Sequence, residues 1–205
     1  KFDKALSLDG EDDYVLVNPS ASLESSSKQY TGVAWVKLDK EGVQRNDCCN
    51  DDQNIVSWTP GWHSLLLVFG AGRGGNQGKV EIGSAELAPQ WNFGTKPVND
   101  DKWHHLAFVY DGKKKLLYVD GEVDIDTPAS GTFGIFGIDV TIGGTATSKR
   151  HAEGLLDDIA IFNAPLVKND IKTLMDKGVG KTLGLLPVSP KYRLTAIWAD
   201  IKSGI

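Results

Sequence analysis

The chain has 205 residues, enough for one all-β sandwich of ordinary size, and its 40% hydrophobic and 24% charged composition allows a sizeable core and argues against wholesale disorder. A net charge of −5 argues against a nucleic-acid partner, because phosphate recognition needs clustered Lys and Arg; no apolar run approaches the ~20 residues of a membrane-spanning helix. The 23 glycines and single methionine suit a turn-rich sheet protein better than a helical bundle.

In chain order, alternation over residues 4–8 stopping at Asp9-Gly10 predicts a strand and turn, and residues 14–17, ended by Asn18-Pro19, predict a second strand. Residues 20–28 form a serine-rich loop. Residues 30–38 are apolar on both faces in part, as in a central sandwich strand. Residues 39–53 are acidic and aperiodic and hold the only cysteines, Cys48 and Cys49. Chain neighbours cannot staple distant strands, so a vicinal disulfide and two free thiols both remain open. Strands follow at 54–58 and 64–69 around Thr59-Pro60-Gly61-Trp62-His63, then a glycine-rich turn at 70–78, a strand at 79–83 and a loop at 89–102 carrying Trp91 and Phe93.

Trp103-His104-His105-Leu106-Ala107-Phe108-Val109-Tyr110 and Leu116-Leu117-Tyr118-Val119 are two apolar runs, closed by Asp111-Gly112 and Asp120-Gly121. Asp-Gly accepts positive φ at low cost, so this is a three-strand antiparallel meander whose third member is residues 122–126. Lys113, Lys114 and Lys115 fall at the hairpin tip, where solvated charge is expected. Strands at 139–142 and 155–162 precede the one helical segment, 165–177, with Pro165 near its start and Gly178 just past its end. Beyond Val179, Leu194, Ile197, Trp198 and Ile201 fall at helical spacing and predict a short amphipathic helix docking on its own domain or on a partner.

Several phrases follow one another in a familiar order. They are Ala5-Leu6-Ser7-Leu8-Asp9-Gly10-Glu11-Asp12-Asp13-Tyr14-Val15, then Tyr30-Thr31-Gly32-Val33-Ala34-Trp35-Val36-Lys37, the meander, Ile142-Gly143-Gly144 and Gly154-Leu155-Leu156-Asp157-Asp158-Ile159-Ala160-Ile161-Phe162-Asn163. The series, over roughly residues 3–178, resembles the laminin-G-like branch of the concanavalin A-like lectin/glucanase superfamily. The resemblance implies an all-β, concanavalin A-like antiparallel β-sandwich (jelly roll) with one short C-terminal helix, occupying residues 1–178, followed by a tail or linker at 179–205. It implies a non-catalytic, lectin-like carbohydrate-binding module, calcium-stabilised, in a secreted or cell-surface protein whose signal is either removed before Lys1 or lies outside this sequence. Two other functions compete: a protein–protein adhesion module of a secreted multimodular protein, and an unrecognised glycoside hydrolase.

In related sandwiches a metal joins the N-terminal strand region to an aspartate on the last strand. The resemblance therefore implies Ca²⁺ at Asp157, with Asp9 as second ligand. Alternation places Asp157 with Leu155, Ile159 and Ile161 on a buried stripe, where a carboxylate needs either a cation or several donors; Asp158 falls on the opposite, solvated face. For a glycan, Trp62 is the expected stacking platform, with His63 and Trp91 beside it and Asn50, Asp51 and Asp52 reading hydroxyls. Trp58 could line the same groove, while Trp35 and Trp103 match core positions. His104 and His105 point to opposite strand faces, so they are expected to be structural rather than a chelating pair. Glu122, Asp124 and Asp126 share a face in the manner of a glucanase carboxylate set, but the meander is peripheral and no second Glu completes the pair, so they are expected not to be catalytic.

Overall fold

The computed structural model describes residues 1–2, 4–20, 23, 29–39, 52–58, 63–68, 75–132, 139–145 and 149–184. One antiparallel sheet of six strands runs in the order β1 (Leu6–Asp9), β14 (Glu153–Phe162), β3 (Tyr30–Leu38), β9 (His104–Tyr110), β10 (Lys114–Val119), β11 (Glu122–Pro128). The second runs β2 (Val15–Val17), β13 (Val140–Ile142), β4 (Gln53–Trp58), β5 (His63–Val68), β6 (Lys79–Gly83), β8 (Trp91–Pro97). A two-stranded piece, β7 (Leu87–Ala88) with β12 (Ser130–Gly131), lies apart from both.

Alternation in β9 shows how the layers arise. Leu106, Phe108 and Tyr110 join the core between the sheets with Val36, Ile55, Trp58, Leu66 and Ile82. Ala107 and Val109 point the other way and meet Ile171 and Leu174 of α1 (Lys168–Lys177), which covers the outer face of the first sheet. Each large apolar side chain so buried contributes roughly 1.5–3 kcal/mol. Gly178 ends α1 at φ 82°, its N–H donating to Leu174 O at 2.8 Å. A second helical turn, α2 (Val179–Thr182), follows where the sequence suggested only tail.

In the first sheet, two register shifts among the described residues reset this alternation. In β14, Asp157 pairs with Trp35 and Ala160 with Val33, so two residues oppose one, and Asp158 takes φ 51°. Before the bulge Leu156 faces the core; after it Ile159 and Ile161 do. In β11, Leu117 pairs with Ile125 and Tyr118 with Val123, leaving Asp124 as the extra residue. Residues 91–97, expected as loop, form β8. Its Pro97 is tolerated because β8 is an edge strand, and at Gly94 a Cβ would press on Asp124 Oδ2 and Leu117 where β8 approaches β11.

Candidate functional site

Register decides which candidate residues meet. Gln53 pairs with Val68 at one end of the β4–β5 hairpin and Trp58 with His63 at the other. Asp52 precedes Gln53, so some six residues of strand, roughly 15–20 Å, separate it from His63. The structure thus does not bring Asp52 to His63. Asp52 is wholly buried. Asn50, Asp51 and Trp62 lie outside the described residues, as do Cys48, Cys49 and the helical spacing at 194–201. Trp58, 1% exposed, belongs to the core and lines no groove.

Trp91 stands at the His63 end. It pairs with Gly83, and Phe93 pairs with Glu81, while Ile82 between them faces the core. Trp91 and Phe93 therefore share the outer face of the second sheet. A Cβ at Gly83 would come 2.8 Å from the Trp91 ring and collide with Gln90 O, so only glycine lets the indole lie against the strand. Trp91 is half-buried in that seat and Phe93 is 50% exposed. Phe93 was not among the candidates, although the Trp-Asn-Phe alternation carried its signal.

The opposite end of the sandwich is acidic. Gln53 Oε1 accepts Glu153 N–H at 2.9 Å and Asp39 N–H donates to Glu153 O at 3.1 Å, joining the start of β4 to those of β14 and the end of β3. Asp9 pairs with Glu153, four residues and about 13 Å of strand from Asp157. One ion cannot take both Asp9 and Asp157. Asp157 is also not core-facing: being before the bulge it lies beside Trp35 on the outer face, where Oδ2 accepts the backbone nitrogens of Lys1 and Phe2 at 2.6 and 2.8 Å and Oδ1 accepts Asp158 N–H at 2.8 Å. Asp158 is half-buried rather than solvated, and its Oδ2 accepts Val179 N–H at 2.8 Å; burial pushes its carboxyl up.

Asp9 instead gathers with Asp12 and Asp13, their ligand oxygens all within 4.8 Å of one another. Asp9 Oδ1 also accepts Glu11 N–H at 2.9 Å, which pulls its carboxyl down, while Glu153 is pushed up by burial and by the charges of Asp39 and Asp9. Three hard oxygen donors on one turn, at an end where carboxylates repel, fit the chemistry of a Ca²⁺ site. The Glu11-Asp12-Asp13 run after Asp9-Gly10 was the sequence signal for this carboxylate cluster.

The remaining titratable candidates have structural partners. His104 Nδ1 lies 2.8 Å from Asp120 Oδ2 and Nε2 2.9 Å from Asp100 Oδ1, whereas His105, on the other face, packs its ring 5.3 Å from that of Trp35. Trp35 is buried, but on the outer face beneath Phe2 rather than between the sheets, and Trp103 is half-buried. Glu122, Asp124 and Asp126 do not act on one face, because the bulge separates them. Glu122 bonds Lys168 and Lys172 of α1, Asp124 accepts Thr95 N–H at 2.8 Å and the Thr95 hydroxyl, and Asp126 bonds Lys114. Lys115 is not solvated: it is 0% exposed, sharing strand parity with the core residues Leu117 and Val119.

Two stacked antiparallel sheets of six strands, with a helix on the outer face of one, define a lectin-type jelly-roll sandwich. The chain belongs to the Concanavalin A-like lectin/glucanases superfamily, a laminin G profile of which matches residues 9–172. No curated protein matches the sequence. Among solved structures, a protein from Bacteroides ovatus provisionally assigned to carbohydrate binding superposes with TM-score 0.62 at 23% identity over 85% of this chain and 47% of its own. Domain 4 of AbnA, a GH43 extracellular arabinanase from Geobacillus stearothermophilus solved with arabinotriose, gives 0.60 at 21% identity over 83% of this chain and 75% of its own. A Trypanosoma rangeli sialidase gives 0.52 at 15% identity over 84% of this chain and 28% of its own. The chain thus spans about half of the Bacteroides protein, and at these identities the likeness speaks to the fold.

Proposed function

We propose that the chain is a non-catalytic carbohydrate-binding module of a secreted protein, its glycan lying on the outer face of β8 against Trp91 and Phe93. The observation that carries this reading is the glycine seat: an indole lying close against Gly83, partly open, with a second aromatic two residues along the same face. Sugar rings present apolar C–H faces that pack on such surfaces, and platforms about 7 Å apart along a strand suit successive units of an oligosaccharide. Glu81 beside Phe93 supplies a hydrogen-bond acceptor for hydroxyls. The carbohydrate-binding neighbours support the same reading. A calcium ion held by Asp9, Asp12 and Asp13 belongs to the proposal, and its place would be structural: it would neutralise the acidic end about a sandwich length from the aromatics.

The test is affinity electrophoresis on arabinan, xylan, β-glucan and mannan. A shallow open site leaves much of the sugar hydrated, so binding in the millimolar to micromolar range is expected, roughly −4 to −8 kcal/mol. Trp91→Ala should weaken it about tenfold or more and leave the domain folded. Trp35→Ala, by contrast, removes a buried indole and should destabilise the fold by about 3–5 kcal/mol. Retardation unchanged in both Trp91→Ala and Phe93→Ala would exclude this face, and release of reducing sugar by the wild type would favour a glycoside hydrolase.

A further inference from the structure

The turn that delivers Trp91 is held from the opposite sheet. Lys115, on β10, is wholly enclosed, and its Nζ donates to two successive main-chain carbonyls, Pro89 O at 2.6 Å and Gln90 O at 3.0 Å. An enclosed ammonium is tolerated only with such partners. Gln90 O accepts a second bond from Ser84 N–H at 3.1 Å, and the same oxygen is the atom that a Cβ on Gly83 would strike. An ammonium, an amide and a bare α-carbon thus converge on one carbonyl, and the next residue in the chain is Trp91. A same-length apolar side chain would fill the slot without the desolvation cost of a charge. What the amino group adds is direction, because two bonds to consecutive carbonyls fix the orientation of both peptide planes.

We infer that Lys115 is a positioning residue for the aromatic platform, clamping the carbonyls of Pro89 and Gln90 so that Trp91 leaves the turn in one orientation, lying against Gly83. The clamp rests on this geometry; its role in recognition rests on the carbohydrate reading above. Burial draws the amino group down to about 8, with Glu81 the carboxylate opposing that change.

Lys115→Met, which keeps the length and removes the donors, is compared with the wild type by the indole N–H resonance of Trp91, assigned through Trp91→Phe, and by retardation on the same four polysaccharides. In the folded variant the Trp91 resonance should shift or broaden while the other indoles stay in place, and affinity should fall at least fivefold. An unmoved Trp91 resonance overturns the clamp whether or not any glycan binds. A displaced resonance in a protein whose wild type binds none of the four upholds the clamp and counts against the carbohydrate reading alone. Should Lys115→Met not fold, native-state hydrogen exchange of the wild type decides. Slow exchange of the Lys115 Nζ protons supports the clamp, and exchange at the rate of a solvated lysine overturns it.

Discussion

His104 and His105 are neighbours that respond to pH with opposite sign. His104 sits between the carboxylates of Asp120 and Asp100, and the hydrogen bond to Asp120 holds its imidazolium above the usual range. The stability it contributes is complete below an unfolded pKa of about 6.5 and fades as pH rises through the folded value. Asp100, held down to about 2 by Lys102 and His104, contributes fully above its ordinary value of 3.8 and loses that contribution as pH falls from there through about 2. His105 is 1% exposed, its Nδ1 has no partner, and burial lowers it to about 4. Between pH 6.5 and 4 the unfolded chain binds a proton that the folded one refuses, a destabilisation on the order of 3 kcal/mol that then levels off. Urea midpoints measured against pH should decline over that window, and His105→Leu should flatten the decline; an equally steep acid limb in the variant would assign it elsewhere. The opposed faces of this pair were legible from strand period alone. The burial of Lys115 was also visible, in its shared parity with Leu117 and Val119, but three lysines in a row read as solvent.

At the level of the strand, what the sequence hides is the bulge. The strands of the meander follow from Asp-Gly pairs and apolar runs and stand in the expected order, although β10 starts at Lys114, within the expected turn, and β11 runs on to Pro128. One extra residue at Asp158 and another at Asp124 nevertheless invert every face assignment made across them. That is why Asp157 read as core-facing with Ile159 and Ile161, and why Glu122, Asp124 and Asp126 read as one acidic face. Bulges arise from pairing with a neighbour that periodicity cannot see. The second has a measurable role, since Asp124 carries both bonds to Thr95 that tie β11 to β8. Asp124→Ala should lower the urea stability by about 1–2 kcal/mol. Glu122→Gln should leave any activity unaltered, and β-glucan hydrolysis that vanished in that variant would return these acids to catalysis. β8 itself was unreadable for a related reason: Gly94 and Pro97 signal a loop unless an edge position is known.

Across the whole molecule, the sandwich separates two chemistries, an aromatic end at Trp91 and an acidic end at Asp9. The fold class was legible because ordered strand phrases, turns and one late helix specify it together; the site was not, because which loops meet depends on hairpin register. The acidic end is tested by chelation. An ion bound only by the folded state stabilises by about 2.7 kcal/mol at 100 times its dissociation constant. Tm should therefore fall in chelator, and Asp12→Ala should abolish the shift while Asp157→Ala keeps it; equal Tm with and without calcium would remove the ion. The stitched border has a last consequence. Among the described residues each sheet ends in two edge strands, and a bare edge can template a strand from another molecule. On one side β1 and β2 are joined by the short turn at residues 10–14; on the other, β8 is tied to β11 and carries Lys96 and Pro97. A strand added at the β8 rim would meet a position with no N–H to give at Pro97 and a charged side chain beside it at Lys96.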